Sequence, residues 1–167
     1  MDIEEVTKFV GLPAQSKDFD RYLSAHGLAH RPVFKGTPVD RISVKAAGIS
    51  LVFDTAIRYE KMHGPLREGG SMIFSTAQIY SDANNSGFEE YRGTLPYGLT
   101  FKLALTDTIG ILGTPTVSHT FDEEHSYVWY NFRGNTIGIT FLSDEQGISW
   151  LEITRAAKEP PVQVDWD

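Results

Sequence analysis

The sequence predicts an α+β fold, an antiparallel sheet with short helices packed on one face. Helical spacing of apolar residues is confined to two places, the N-terminal 26 residues and a short stretch near residue 107. Elsewhere the apolar pattern has a period of two and is broken by Gly, Asn and Asp turns, as antiparallel strands require. The two helical stretches also share a pattern, which points to two degenerate helix–sheet repeats.

The first helix is expected over residues 2–10. Asp2 is placed to cap it, Glu5 completes a capping box, and Ile3, Val6, Phe9 and Val10 share its apolar side. Gly11 stops it and Pro13 prevents restart. A second helix is expected over 16–26, with Ser16 as cap, Gly27 as stop, and Phe19, Tyr22, Leu23 and His26 facing inward. Strands follow at 39–45 and 49–54, joined through Gly48, and at 72–80. Residues 81–87 read as a loop, 88–99 as an irregular crossover and 99–103 as a short strand.

Thr106 is placed to cap a short helix over 107–112, ended by Gly113 and Pro115. The loop after it carries His119 and His125. Strands at 127–132, 136–142 and 148–153 complete the sheet. The expected organisation is one domain over 1–157, with weak repeat units at 1–54 and 98–153, and a C-terminal extension over 158–167. In the repeat, residues 4–13 align with 106–115, and Gly11 and Pro13 match Gly113 and Pro115.

A turn at Gly134 and Asn135 would pair Phe132 with Ile137, Tyr130 with Ile139 and Val128 with Phe141 as the core face. Tyr127 and Trp129 would then stand on the open face, joined there by Trp150. A one-residue shift reverses the assignment of 127–132. An open face carrying Tyr and Trp is a candidate binding surface, because such rings give large rigid contacts at low entropic cost.

Bulk properties narrow the function. Three Trp, seven Tyr and ten Phe suffice for a packed interior. A net charge of −7 disfavours nucleic acid and anionic lipid and suits a basic protein partner. The absence of cysteine removes disulfides, thiol catalysis and zinc–cysteine clusters. No apolar run approaches membrane-spanning length, and acids stand where a signal peptide would carry Lys or Arg, so a cytoplasmic protein is expected.

Chemistry-bearing motifs are weak. His119 and His125, with Asp122, Glu123 and Glu124 between them, could ligate a metal, but the spacing is wide and no third His is near. No nucleophile elbow or phosphate loop is present, and Glu89 and Glu90 as sequence neighbours point apart. No catalytic residue, metal or cofactor is therefore expected. The acids instead surround aromatics: Asp122, Glu123 and Glu124 beside Tyr127, Asp144 and Glu145 in a hairpin loop, Glu89 and Glu90 beside Tyr91. Acids that steer encounter and aromatics that hold the complex characterise a binder of basic protein.

The run YRGTLPYGLTF, LTDTIGILGTPTVSH, YVWYNF and IGITFLSDEQGISWLEI resembles immunity proteins of bacterial polymorphic-toxin and type VI secretion effectors. The helix–Gly-x-Pro–sheet unit is similar to the repeat of β-lactamase inhibitory protein and of the related outer-membrane assembly lipoprotein domain, although the lipidated Cys of the latter is missing here. The resemblance implies a partner-binding sheet face using Tyr127, Trp129, Trp150 and the acidic loops, and a cognate toxin as partner. Two other classes stay open: a small-molecule or carbohydrate-binding module built on the same aromatics, and a hydrolase using His119 and His125.

Overall fold

A computed structural model describes residues 1–162. The elements run α1 (Ile3–Val6), α2 (Lys17–Ala25), β1 (Val39–Val44), β2 (Ile49–Thr55), α3 (Ala56–His63), β3 (Met72–Tyr80), α4 (Leu105–Leu112), β4 (Val117–Phe121), β5 (Glu124–Phe132), β6 (Asn135–Phe141) and β7 (Ile148–Arg155). The strands form one antiparallel sheet in the order β1-β2-β3-β7-β6-β5-β4. The fold is α+β.

Two meanders, β1-β2-β3 and β4-β5-β6-β7, meet edge to edge where β3 pairs with β7. Each meander has its own Gly-x-Pro segment, with Gly11 and Gly113 both at positive φ. The first segment bonds β3, as Gly11 N–H donates to Phe74 O at 2.8 Å and Phe74 N–H to Leu12 O at 2.9 Å. The second bonds β5, as Thr116 N–H donates to Val128 O at 2.8 Å. One sheet therefore runs through both of the stretches drawn as repeats from sequence, and β3 lies outside them. Of the extension expected over 158–167, residues 163–167 lie outside the described residues.

The register separates two faces. On one, Ile42, Leu51, Ala77, Ile153, Ile137 and Trp129 lie in a continuous cross-strand row, with Val44, Ile49, Ile79, Leu151, Ile139 and Tyr127 in the next. These rows face Ile3 and Val6 of α1, Phe19 and Leu23 of α2, and Leu112 of α4, which makes this the core. Phe19 stacks on Phe9 at 4.8 Å and tilts against Phe74 at 5.3 Å. The Asp2 carboxylate caps α1 through Glu5 N–H at 3.0 Å, as the capping box predicts.

The second face is polar. Ser43, Ser50, Gln78, Glu152 and Gly138 form one row; Tyr80, Trp150, Thr140, Ser126 and His119 form another. Strands alternating apolar and polar residues are what a sheet covered on one side needs.

Helical residues are not confined to the two expected places, since α3 follows β2 with Thr55 capping it through Arg58 N–H, and Ser16 makes no cap bond to α2. Four further local expectations are corrected. The face assignment of β5 is reversed: Arg133 and Gly134 make the turn, Phe132 pairs with Asn135, and a bulge before Phe132 puts Trp129 opposite Ile137. The loop carrying the two histidines is a β-hairpin, β4–β5. Residues 99–103 form turns rather than a strand. The helix after them starts earlier than Thr106: its cap position is Ala104, and Asp107 accepts from Ala104 N–H at 3.3 Å.

Candidate binding surfaces

The structure disperses the residues that the sequence groups. Trp129 is only 3% exposed and its Nε1–H donates to Gly113 O at 2.7 Å, tying β5 to the end of α4. It is a core residue and cannot anchor a partner. Tyr91 is likewise buried, its hydroxyl accepting from Ile3 N–H at 3.0 Å. Tyr127 lies half-buried on the core side, edge-on to Phe141, and donates its O–H to Glu145 Oε1 at 2.6 Å. Burial first, then this carboxylate, pushes the phenol up to about 12. His125 Nδ1 meets the same Glu145 oxygen at 3.1 Å. Glu145 is thus engaged inward as an acceptor for β5.

The acids of the tip are placed differently. Asp122 and Glu123 form the two-residue turn of the β4–β5 hairpin, and both adopt left-handed backbone (φ 49° and 66°). Two consecutive left-handed residues define the type I′ turn, which suits Asn-Gly and costs an Asp-Glu pair strain on the order of 1–2 kcal/mol per residue. Phe121 precedes the turn and is 77% exposed. Glu123 and Glu124 face Asp144 across a cleft of about 380 Å³ that Asn85 of the 81–87 loop also lines, with no Lys or Arg in its wall. Asp144 accepts from Gln146 N–H at 2.9 Å, holding the β6–β7 loop.

Glu89 and Glu90 are exposed but do not join this end. Glu90 instead borders an apolar cleft with Leu95, Leu99 and Phe101. His119 pairs across the hairpin with Ser126, and His125 with Thr120, so the two imidazoles lie on opposite faces of the sheet. Among the described residues, no group of three His, Asp or Glu side chains is placed to hold a metal ion.

Trp150 does reach the polar face, half-buried, with its ring 6.1 Å from Tyr80. Tyr80 in turn stacks on Phe88 at 3.9 Å. Beneath them Arg41 Nη1 donates to Gln78 Oε1 at 2.7 Å, Tyr80 O–H donates to the same oxygen at 3.0 Å, and Gln78 Nε2 donates to Glu152 Oε2 at 3.0 Å. Burial raises the Glu152 carboxyl above its ordinary value, while Gln78 and Arg41 oppose the rise. Sequence reasoning missed this network. Its members are 37 and 74 residues apart, and only strand register brings them together.

The molecule is thus an α+β protein with one helix-covered sheet face, one polar face and an acidic hairpin at the sheet's end. No helix among the described residues is long and apolar enough to cross a membrane. No family model matches the chain. Over 99 residues it is 25% identical to the phenylalanine–tRNA ligase β subunit of Streptomyces avermitilis, a stretch that covers 59% of this chain and only 12% of that protein. A DUF4309 family protein of Bacillus subtilis, YjgB, superposes with a TM-score of 0.44 and 14% identity over 86% of this chain and 81% of that one. Neither relative is described as an immunity protein.

Proposed function

We propose that the protein is a non-catalytic inhibitor of the immunity type that its sequence resembles, docking a basic toxin domain with the β4–β5 end of its sheet and thereby occluding that domain's active site. One observation carries the reading: Phe121, 77% exposed, stands at the apex of a hairpin whose next three residues are all acidic. Phe121 lines one cleft with Asp122, Glu123 and Glu124, an aromatic ring set directly beside steering charge. It fits a surface that is covered when a partner binds. The left-handed Asp122 and Glu123 support the same reading, because backbone strain of this kind is characteristic of functional loops. Asp144, across the cleft, extends the acidic surface that a basic partner would meet.

The revised anchor set is Phe121 with Asp122, Glu123, Glu124 and Asp144. Trp129 and Tyr91 leave it because they are buried, and Glu145 because it is bonded inward. The test reads the neighbouring genes for a secreted toxin-domain protein and co-expresses it with this chain; the lack of any such gene would count against the proposal. Wild type is expected to restore growth. Phe121→Ala is expected to weaken the complex by about tenfold or more, the scale of a hot-spot truncation. A failure of wild type to bind or protect would remove the proposal, and full protection by a Phe121→Ala, Asp122→Asn, Glu123→Gln variant would remove the surface.

A further inference from the structure

We propose that the polar face of the sheet carries a saccharide-binding site between Trp150, Phe88 and Arg41. The cleft there measures about 410 Å³, a volume suited to one or two pyranose rings, and is lined by Ser43, Ser50 and Ser86 as well. Glu124 closes its rim from the hairpin.

Three features make it a built site rather than a dent. The first is the pre-ordered floor. Gln78 is buried, its Oε1 accepts from both Arg41 and Tyr80, and its Nε2 donates to Glu152, so neither amide nor guanidinium is free to turn. Groups held this way lose little entropy when a ligand binds. The second is the donor. Arg41 is exposed and lines the cleft; its guanidinium donates to Gln78, and its charge favours the nearby Glu152 carboxylate through space. The third is the aromatic wall. Trp150 is half-buried and lines the cleft together with Tyr80 and Phe88, with its ring 6.1 Å from Tyr80.

The lining chemistry selects the ligand class. A sugar presents an apolar C–H face to an indole and hydroxyls to planar polar side chains, and this cleft offers both. An apolar ligand would strip water from the Arg41 guanidinium and the Ser86 hydroxyl and offer them nothing in its place. A nucleotide phosphate would meet Glu124 on a chain of net charge −7. An added peptide strand needs a sheet edge, whereas Trp150 and Gln78 lie on interior strands.

A glycan array probed with the whole chain, followed by calorimetry on the strongest binder, tests this. A neutral saccharide is expected to bind. Arg41→Ala, a change at an exposed side chain, is expected to weaken it by roughly tenfold, the loss of a charge-assisted hydrogen bond. Trp150→Ala is expected to weaken it further. Ser43→Trp, which fills the cleft from an exposed position, is expected to abolish it with the melting temperature unchanged. Phe121→Ala is expected to leave it intact, which separates this site from the hairpin. No saccharide bound at millimolar concentration, a nucleotide bound in its place, or affinity unchanged in both Arg41→Ala and Ser43→Trp would overturn the proposal.

Discussion

At the scale of single residues, Glu152 shows how the polar face is balanced. Its carboxyl is raised by burial from an ordinary value near 4.5, and the bonds to Gln78 and the nearby Arg41 only partly restore the charged form. A folded pKa above the unfolded one contributes stability that is complete below the unfolded value and lost as pH rises through the folded value. Wild type should therefore lose stability between mildly acid and neutral pH relative to Glu152→Gln, whose amide keeps an acceptor for Gln78. Thermal melts of both proteins at pH 4 and pH 7 check this: the variant's advantage should be larger at pH 7. Trp129 makes the opposite case, a residue that reads as a surface anchor and packs as core. Trp129→Ala should cost about 3–5 kcal/mol and lower the melting temperature sharply. Trp129→Phe keeps the packing but leaves the Gly113 carbonyl without its donor, a loss of about 1–2 kcal/mol.

At the scale of elements, the turns decide what the strands present. The bulge before Phe132 adds one residue to β5 and so exchanges its two faces. Nothing in YVWYNFRGN announces that extra residue, because the strand is apolar on both sides and either assignment buries aromatics. The second strand of that hairpin, β6, was legible: Ile137, Ile139 and Phe141 alternate with Thr140 and Gly138. The β4 strand was not, because VSHTF is polar and its Asp-Glu turn lacks the Asn-Gly signature of a two-residue hairpin. The start of α1 was legible at Asp2, that of α4 less so because it begins on Ala104, and that of α3 not at all, although Thr55 caps it with its side chain. Two glycines, Gly48 and Gly138, are needed to different degrees. Gly48 sits at φ +68°, and a Cβ there would lie 2.4 Å from the backbone nitrogen of Tyr91. A Cβ on Gly138 would meet the side chain of Glu152, with Cγ at 3.0 Å and Oε1 at 3.2 Å, and no backbone as near. Gly48→Ala should therefore destabilise by several times more than Gly138→Ala in denaturant titrations, since backbone cannot step aside as a side chain can.

At the scale of the whole molecule, two meanders share one sheet, and their junction at β3–β7 carries Gln78, Tyr80, Trp150 and Glu152 on its polar side. The composition that predicted an acidic binder says nothing of where the acids gather. The fold concentrates Glu123, Glu124 and Asp144 at one end and leaves Glu89 and Glu90 elsewhere. If that end steers a basic partner, association must slow as salt rises, because the screening length shrinks from about 10 Å at 0.1 M to about 3 Å at 1 M. Stopped-flow mixing should show the salt dependence in the association rate, with dissociation little changed.

The most direct measurement is the affinity of a toxin-domain protein found encoded beside this chain for wild type and for Phe121→Ala, by calorimetry on purified proteins. The hairpin account predicts a tight complex with wild type and an affinity lower by about tenfold or more with the variant, at the same melting temperature. Equal affinities, or no complex with wild type, would contradict it.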